Sequence, residues 1–361
     1  MKQIILGDLH FGVKSFDLEF FENQKKLFTE QIIPYMQENN IKRIYQVGDF
    51  FDNRKMIDIN FLNEVVEFLN SLQILVPDIE IICLLGNHDI YYRDSLEVSL
   101  IKIIAKKVNF ITVFDEPTMI NNIQLFPWLV DGYLEKEDIR GEIILGHFEI
   151  KNFEMVRGHS CDDGLDIDLF DDKMVLSGHF HLRGSRNNIN YIGTPYQITW
   201  GDFGDRRGFY VLDNITKELE FIENKSSTIF VKIIFNSNES ILVKVFDDLE
   251  FGFSLEEFKT FIRENIDLLK NSNLKIIVFS DGFEEFLDSI KEEKIKYNFV
   301  NNIELKELRE QSSSDINMSS FDASEFIEQF IAKSNLTDKE RLKIKFKEIM
   351  ESLKEKQIQI S

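Results

Sequence analysis

The chain has 361 residues, of which 43% are hydrophobic and 29% charged, the balance of a globular protein that buries a core. This length predicts two domains, or one large domain with an appendage. The formal net charge of −21 excludes a broadly basic surface, so any nucleic-acid binding would depend on metal ions, local basic clusters or a partner.

Cysteine use and hydropathy indicate the compartment. Only Cys83 and Cys161 occur, and neither belongs to a CxxC motif or a paired framework, which fits a reducing environment. The chain opens on a strand-like run without a secretory-signal pattern, and no apolar run approaches the roughly 18 residues of a membrane span. We therefore expect a soluble cytoplasmic protein.

Up to residue 213, short apolar runs alternate with helical patterns. Helical spacing of apolar residues occurs over 19–38, 59–73 and 94–107. The predicted strands are 2–6, 43–47, 79–85, 109–113, 123–126, 142–146, 173–177 and 208–212. This alternation predicts a layered α/β domain over 1–213.

The remainder is predicted to hold a small domain and a tail. The polar segment 214–227 ends the first domain, and 228–300 has the strand and helix patterns of a small α+β domain. A serine-containing linker is predicted over 301–320. Two apolar stripes predict a helical hairpin over 321–356, which either packs back on its own chain or docks a partner.

Five short polar motifs follow predicted strands. They are Gly7-Asp8-Leu9-His10, Gly48-Asp49, Gly86-Asn87-His88-Asp89, Gly146-His147 and Gly178-His179-Phe180-His181. Sites in open α/β sheets form at the carboxyl ends of strands, so we expect these motifs to converge on one rim. Residues two apart, such as Asp8 and His10, can share a face and hence one metal.

The distribution of histidine favours a metal site. Five of the six histidines lie in these motifs, leaving only His159 outside, a concentration that scattered structural histidines would not produce. Imidazole, carboxylate and amide donors together suit Mn²⁺, Fe or Zn²⁺ rather than an all-oxygen Ca²⁺ or Mg²⁺ site. Roughly seven donors exceed the needs of one metal, so two metals sharing a carboxylate are predicted, the arrangement used for phosphoryl transfer.

The order and separation of these motifs resemble the calcineurin-like metallophosphoesterase superfamily, which implies a two-sheet sandwich flanked by helices. Tyr191-Ile-Gly-Thr-Pro195, followed by Arg207-Gly-Phe209, is similar to the segment that closes the nuclease domain of SbcD-type double-strand-break repair nucleases. Pro127-Trp128 and the segments 7–14, 48–55 and 177–181 resemble the nuclease subunits of T4-type phage recombination endonucleases. The resemblance covers the first 213 residues, whereas the implied capping and DNA-binding domain at 228–300 and the hairpin at 321–356 match in arrangement only.

The resemblance implies two bound Mn²⁺ ions, with Mg²⁺ or another divalent metal as the alternative. One metal would be held by Asp8, His10, Asp49 and His181, and the other by Asp49, Asn87, His147 and His179. His88 would stabilise the transition state or protonate the leaving alkoxide, and Asp89 would orient His88.

One position departs from the family pattern. Many cellular SbcD-type nucleases carry histidine where this chain has Asp52, so a role in positioning DNA ends does not transfer to it. Asp52 is expected either to partner a metal-bound histidine or to cap the next helix, and the cap is favoured.

Candidate substrate contacts lie near the motifs. Tyr91, beside Arg93, is a candidate for stacking on a frayed DNA end, and packing at the start of the next helix is an equally good interpretation. Four arginines near the rim are candidates for phosphate contacts, namely Arg183, Arg186, Arg206 and Arg207. In the alternative they serve solubility, with Arg206 or Arg207 paired to Asp202 or Asp205.

The resemblance implies a Mn²⁺-dependent DNA exonuclease and endonuclease subunit for recombination, replication and double-strand-break processing, in the host cytoplasm if a phage encodes it. Its implied partners are DNA, a second copy of the chain, and an SbcC-type, SMC-like coiled-coil ATPase that the hairpin 321–356 would bind. The rival enzyme is a metallophosphoesterase of small nucleotides or phosphoproteins, and the rival of another class is a non-catalytic scaffold with the same fold.

Overall fold

The computed structural model describes residues 1–302, and its main feature is a pair of six-stranded sheets packed face to face. The predicted hairpin 321–356 and nearly all of the predicted linker 301–320 lie outside the described residues. None of the described helices is both long and apolar enough to cross a membrane.

The first sheet is built around the N-terminal strand. Its strands stand in the order Leu219–Glu223, Gly208–Asp213, Lys2–Leu6, Arg43–Gln46, Glu80–Leu84 and Ile111–Phe114. The last four are mutually parallel, and the first two are each antiparallel to their neighbours. Parallel strands end at one edge, so the loops that follow three of these strands meet there.

The second sheet has the same number of strands. Their order is Gly184–Arg186, Ile189–Tyr191, Met174–Ser177, Ile143–Gly146, Ile123–Phe126 and Thr118–Ile120. The four central strands are parallel. Between the two sheets lies a fully buried apolar layer that includes Ile5, Tyr45, Ile82, Leu125 and Leu145. Because both faces of the central strands are covered, consecutive apolar residues occur in Ile143–Gly146 and Met174–Ser177.

Helices cover the outer face of the first sheet. They span Leu18–Lys26, Ile33–Glu38, Ile59–Leu75 and Leu100–Ala105, and a π-helical turn at Leu27–Ile32 joins the first two. Asp17 and Asp58 cap two of the helices by accepting hydrogen bonds from the amides of Phe20 and Phe61. Shorter elements are the turn Val13–Phe16, the 3₁₀ turns Lys136–Asp138, Ile167–Phe170 and Trp200–Asp202, and the hairpin of Glu154–Val156 with His159–Ser160.

A third, five-stranded sheet follows. Its strands stand in the order Leu249–Phe253, Ser240–Phe246, Phe230–Ser237, Asn273–Val278 and Asn298–Asn301. The helices of this part are Leu255–Glu264, Ile266–Lys270 and Glu284–Glu292, and Phe286 packs on Phe235 of the sheet with ring centroids 5.0 Å apart. The predicted α/β class with a two-sheet sandwich is confirmed, and an α+β arrangement lies over the range predicted for it. The boundaries between domains stay predictions.

Two segments differ from their predicted form. The predicted helix 94–107 begins only at Leu100, because Ser95–Ser99 pairs with Ile90–Tyr92 as a hairpin. The polar segment 214–227 contains the strand Leu219–Glu223, which extends the first sheet. In both cases a neighbouring strand offers ladder hydrogen bonds, which short-range hydrophobic spacing does not reveal.

Candidate metal centre

The five motifs follow strands of both sheets. Asp8 and His10 follow Lys2–Leu6, while His147 and His179 follow neighbouring parallel strands of the second sheet. The remaining motif residues, Asp49, Asn87, His88 and His181, follow Arg43–Gln46, Glu80–Leu84 and Met174–Ser177. All seven predicted metal ligands therefore gather at the carboxyl ends of strands from two stacked sheets, as expected.

The loops that carry these residues are held in strained backbone conformations. His10, Asp49 and His179 have positive φ angles of 46°, 55° and 85°, which cost side-chain-bearing residues about 1–3 kcal/mol each and cluster at functional sites. Gly48, with φ of 100°, precedes Asp49, and a Cβ at Gly48 would lie 2.2 Å from His147 Nδ1. Glycine at this position lets two loops approach closely enough for their side chains to meet.

The first donor group consists of Asp8, His10 and His181. Their donor atoms lie within 4.8 Å of one another, and His10 Nε2 is 2.9 Å from His181 Nε2. The backbone N–H of His179 donates to both carboxylate oxygens of Asp8, at 3.0 and 3.2 Å, which fixes that carboxylate. Two imidazole nitrogens this close require a proton or a cation between them.

The second donor group consists of Asn87, His147 and His179. Asn87 Oδ1 lies 3.0 Å from His147 Nε2 and 3.0 Å from His179 Nδ1. His147 Nδ1 donates to the Val47 carbonyl at 2.8 Å, so in the neutral ring Nε2 presents a lone pair to this group.

Asp49 lies between the two groups. Its Oδ2 is 3.4 Å from His147 Nε2 and 3.8 Å from His10 Nε2, so one carboxylate oxygen faces one nitrogen from each group. Its Oδ1 accepts a hydrogen bond of 2.7 Å from the backbone N–H of His88. This is the position that a bridging carboxylate would take.

The electrostatics of the site favour a bound cation. Burial raises the pKa of Asp8 to about 7, with repulsion from Asp49 adding to the rise and His147 opposing it. Burial also lowers the pKa of His179 to about 3 and that of His181 to about 4, so both rings are neutral and keep a lone pair for coordination. Although burial lowers the pKa of His147, Asp49 and Asp8 raise it to about 9, so the buried carboxylates favour positive charge here, which a divalent metal would also supply.

His88 lies next to the first donor group, since ligand atoms of His10, Asp52 and His88 lie within 4.8 Å of one another. Its Nδ1 donates to the carbonyl of Asp52 at 2.7 Å, which leaves Nε2 as the nitrogen available to a substrate. The expectation that Asp89 orients His88 is not met. The Asp89 carboxylate instead accepts from the amides of Gly86, Phe51 and Phe50, at 2.9, 3.0 and 3.2 Å, and so ties two of the loops together.

Asp52 does not cap a helix, so the favoured interpretation is wrong. The cap of the helix Ile59–Leu75 is Asp58. Asp52 Oδ1 lies 3.3 Å from His10 Nδ1, which is the other alternative, a carboxylate behind a histidine of the first donor group. The pKa of Asp52 is lowered because the contact with His10 outweighs its partial burial.

Sequence reasoning gave Trp128 no role in the site. Its ring centroid lies 5.0 Å from that of His179 and 5.9 Å from that of His147. The strand Ile123–Phe126 runs parallel to Ile143–Gly146 and ends at the same rim, so its position could have indicated a wall of the site. Tyr196 and Gln24 were also missed, and both donate to the Leu9 carbonyl beside His10.

The arginines near the rim are largely engaged in internal contacts. Arg207 is buried, donates to the His181 carbonyl and to Thr194 Oγ1, and pairs with Asp202 and Asp205 at 2.8 and 2.9 Å. Its prediction as a substrate contact is therefore wrong, and the paired alternative is confirmed. Arg206 pairs with Glu223 and Asp248.

The other residues predicted to contact the substrate differ in how many contacts they make within the chain. Arg183 donates to the Arg206 carbonyl at 2.9 Å and to the Tyr210 hydroxyl at 3.3 Å, and it lies 3.7 Å over the Phe221 ring. Part of its guanidinium is therefore used internally, and its contact with phosphate stays a prediction. Arg186 is exposed, and its Nη1 donates to the Asn152 carbonyl at 3.3 Å. Tyr91, 39% exposed, and Arg93 lie in the hairpin 90–99 rather than at a helix start. Their contact with DNA stays a prediction.

Comparisons with known proteins agree with this geometry. The model of the calcineurin-like phosphoesterase family matches residues 1–183. Exonuclease subunit 1 of Enterobacteria phage T4 is 33% identical over 246 residues, covering 63% of this chain and 69% of the phage protein. A viral protein described as a phosphoesterase, 078R of Invertebrate iridescent virus 3, is 26% identical over 215 residues, covering 55% of this chain and 58% of its own.

Similarity to solved structures is low. GAP50, described as the anchor in the inner membrane complex of Plasmodium, aligns with a TM-score of 0.38 and 13% identity over 70% of this chain and 88% of its own. The family model spans half of the chain and includes the strands of both sheets that precede His181 in the sequence. This chain belongs to the calcineurin-like phosphoesterase family and is a hydrolase acting on phosphodiester bonds.

Proposed function

We propose that the chain is the nuclease subunit of a phage-type complex that processes DNA ends in recombination, replication and double-strand-break repair, in the host cytoplasm. The observation that carries this proposal is the pair of donor groups with Asp49 between them, a geometry suited to a phosphodiester. The similarity to an exonuclease subunit of phage T4 supports DNA as the substrate.

The two donor groups would hold two Mn²⁺ ions, with Mg²⁺ as the alternative. When bound, such ions lower the pKa of water and neutralise charge on the phosphoryl oxygens. His88 supplies the remaining proton chemistry. Because its Nδ1 is committed to the Asp52 carbonyl, Nε2 is the atom that protonates the leaving oxygen.

The partners are proposed from the relative and from the tail of the sequence. A protein named as a subunit has at least one partner, and we assign that role to an SbcC-type coiled-coil ATPase bound by residues 321–356, with a second copy of this chain completing the complex. Such an ATPase would also supply basic surface that a chain of net charge −21 lacks.

The experiment is a nuclease assay on linear duplex DNA with Mn²⁺, run with and without the ATPase, beside hydrolysis of a small chromogenic phosphodiester. We expect His88→Ala to retain metal but lose most of its DNA cleavage. A truncation lacking 321–361 should still hydrolyse the small diester and fail to capture the ATPase in a pull-down. Hydrolysis of the small diester without any cleavage of DNA would overturn the nuclease assignment in favour of a small-substrate phosphoesterase.

A further inference from the structure

A cleft of about 500 Å³ lies where the helix Leu18–Lys26 faces the third sheet and its helices. It is lined by five lysines, namely Lys14, Lys26, Lys270, Lys294 and Lys296. Two carboxylates also line it, and that of Asp17 already accepts the capping hydrogen bond from the Phe20 amide at 3.1 Å. The cleft is therefore basic in a chain whose formal net charge is −21.

These lysines are not balanced by ion pairs. Within residues 1–302, none of the five takes part in a salt bridge, whereas Lys42, Lys102, Lys136 and Lys259 elsewhere in the chain do. The Lys14 ammonium instead lies 4.0 Å from the centroid of the Phe20 ring. Lys106 and Lys107, elsewhere in the described part of the chain, form no salt bridge either. The gathering of five unpaired lysines in one cleft is therefore the feature that points to an anionic ligand.

The shape and lining of the cleft favour a single nucleic-acid strand. Grooves that bind single strands combine positive charge along the backbone with aromatic side chains for the bases, and Tyr297 lines this cleft beside the lysines. The lining of the cleft is linked along the chain to a loop of the candidate metal centre, because the Val13 amide donates to the His10 carbonyl at 3.1 Å and Lys14 follows directly.

We infer that this lysine cleft binds the phosphodiester backbone of single-stranded DNA and guides one strand to or from the metal centre. The inference rests on the proposed nuclease function, since it names how that substrate is held. Neither the metal ligands nor His88 contribute to the cleft, so the two sites can be tested separately.

The test measures binding of a fluorescein-labelled oligo(dT) of about 20 nucleotides to the full chain without added metal, by fluorescence anisotropy over a series of salt concentrations. The variant is Lys294→Glu with Lys296→Glu, since both side chains are exposed and reversal of their charge leaves no buried group unpaired. We expect its Kd to rise at least about tenfold, and the slope of log Kd against log salt to fall by about 1.4 for two lost phosphate contacts.

The matched control is Lys106→Glu with Lys107→Glu, an exposed pair outside the cleft that changes the net charge equally. It should bind the oligonucleotide within about twofold of the unmodified chain at matched salt. Equal weakening of both variants, an unaffected cleft variant, or an effect confined to duplex DNA would each overturn the inference. The nuclease proposal is tested separately. It fails if the unmodified chain does not cleave DNA in the presence of Mn²⁺.

Discussion

Charged side chains are used in opposite ways in two regions of this molecule. In the metal centre, Asp8 and Asp49 are almost fully buried beside histidine side chains, and against the effect of burial they raise the pKa of His147 to about 9, so positive charge is favoured there. In the arginine junction, every charge has an opposite partner, and half of the side chains are exposed to water while the rest are half-buried. The junction is formed by Arg157 and Arg206 with Asp205, Glu223, Asp247 and Asp248.

The difference indicates that the charged residues of the metal centre have a functional role, whereas those of the arginine junction connect parts of the fold. The arginine junction joins the loop after Trp200–Asp202 and the separate hairpin 154–160 to the turn at 247–248 of the third sheet. Exposed pairs of this kind contribute little each. Arg207 lies between the two regions, since it is buried, paired, and bonded to the carbonyl of His181. Substitutions in the three places should therefore differ in size and in kind.

The largest effect is expected from Gly86→Ala. A Cβ there would lie 2.2 Å from Asp49 Oδ1 and 2.3 Å from the Asp49 amide nitrogen, so Asp49 must move. A displacement of about 1 Å at the reacting centre costs roughly 100-fold in rate, and we expect at least that loss in phosphodiester hydrolysis. Isothermal titration with Mn²⁺ should show weakened binding.

The control for this prediction is Gly252→Ala in the third sheet, where the nearest atom to an added Cβ is 3.7 Å away. It should retain hydrolysis and Mn²⁺ affinity. Normal activity in Gly86→Ala would mean that Asp49 does not depend on the close approach of these loops.

A large effect on stability is expected from Arg207→Lys. Lysine cannot reproduce the planar fork that reaches the His181 carbonyl, Thr194 and two carboxylates together, and it leaves Asp202 incompletely paired in a buried position. Breaking a buried pair costs about 3–5 kcal/mol, and part of that cost should appear here as a lowered Tm in a thermal unfolding experiment. An unchanged Tm would mean that the contacts of Arg207 contribute as little to stability as those of the exposed arginines.

An intermediate effect on metal binding is expected from Asp52→Asn. The substitution keeps the backbone carbonyl that holds His88 and removes the charge 3.3 Å from His10 Nδ1. Loss of such a supporting partner typically weakens metal affinity by about 10–100-fold, which Mn²⁺ titration would detect. Asp58→Asn is the matched control, because asparagine also caps helices and the affinity should stay as it was.

The sequence predicted that the donor side chains gather at one site better than it predicted which residues hold them in place. Motifs such as Gly86-Asn87-His88 follow buried strands, so strand order alone brings them to one rim. Two of the three backbone amides that bond to Asp89 belong to a loop 38 and 39 residues away, which no local pattern displays.

The arginines and the hairpin illustrate the same limit of local patterns. Near the rim, an arginine that contacts phosphate and one that is buried against Asp202 look alike in sequence, and only the fold separates them. The segment Ser95–Ser99 was predicted as helix because the local spacing of apolar residues does not reveal that it pairs with Ile90–Tyr92.

The smallest effect is expected from Asp247→Asn combined with Asp248→Asn. The side chains are 61% and 68% exposed, and exposed ion pairs contribute about 1 kcal/mol or less, so Tm should fall by only a few degrees. Because salt screens exposed charges, the difference from the unmodified chain should shrink further in about 1 M NaCl. Mn²⁺ affinity should not change, since neither residue touches a donor group. A loss of stability equal to that of Arg207→Lys would show that the arginine junction holds the third sheet in place and would remove the contrast between the two regions.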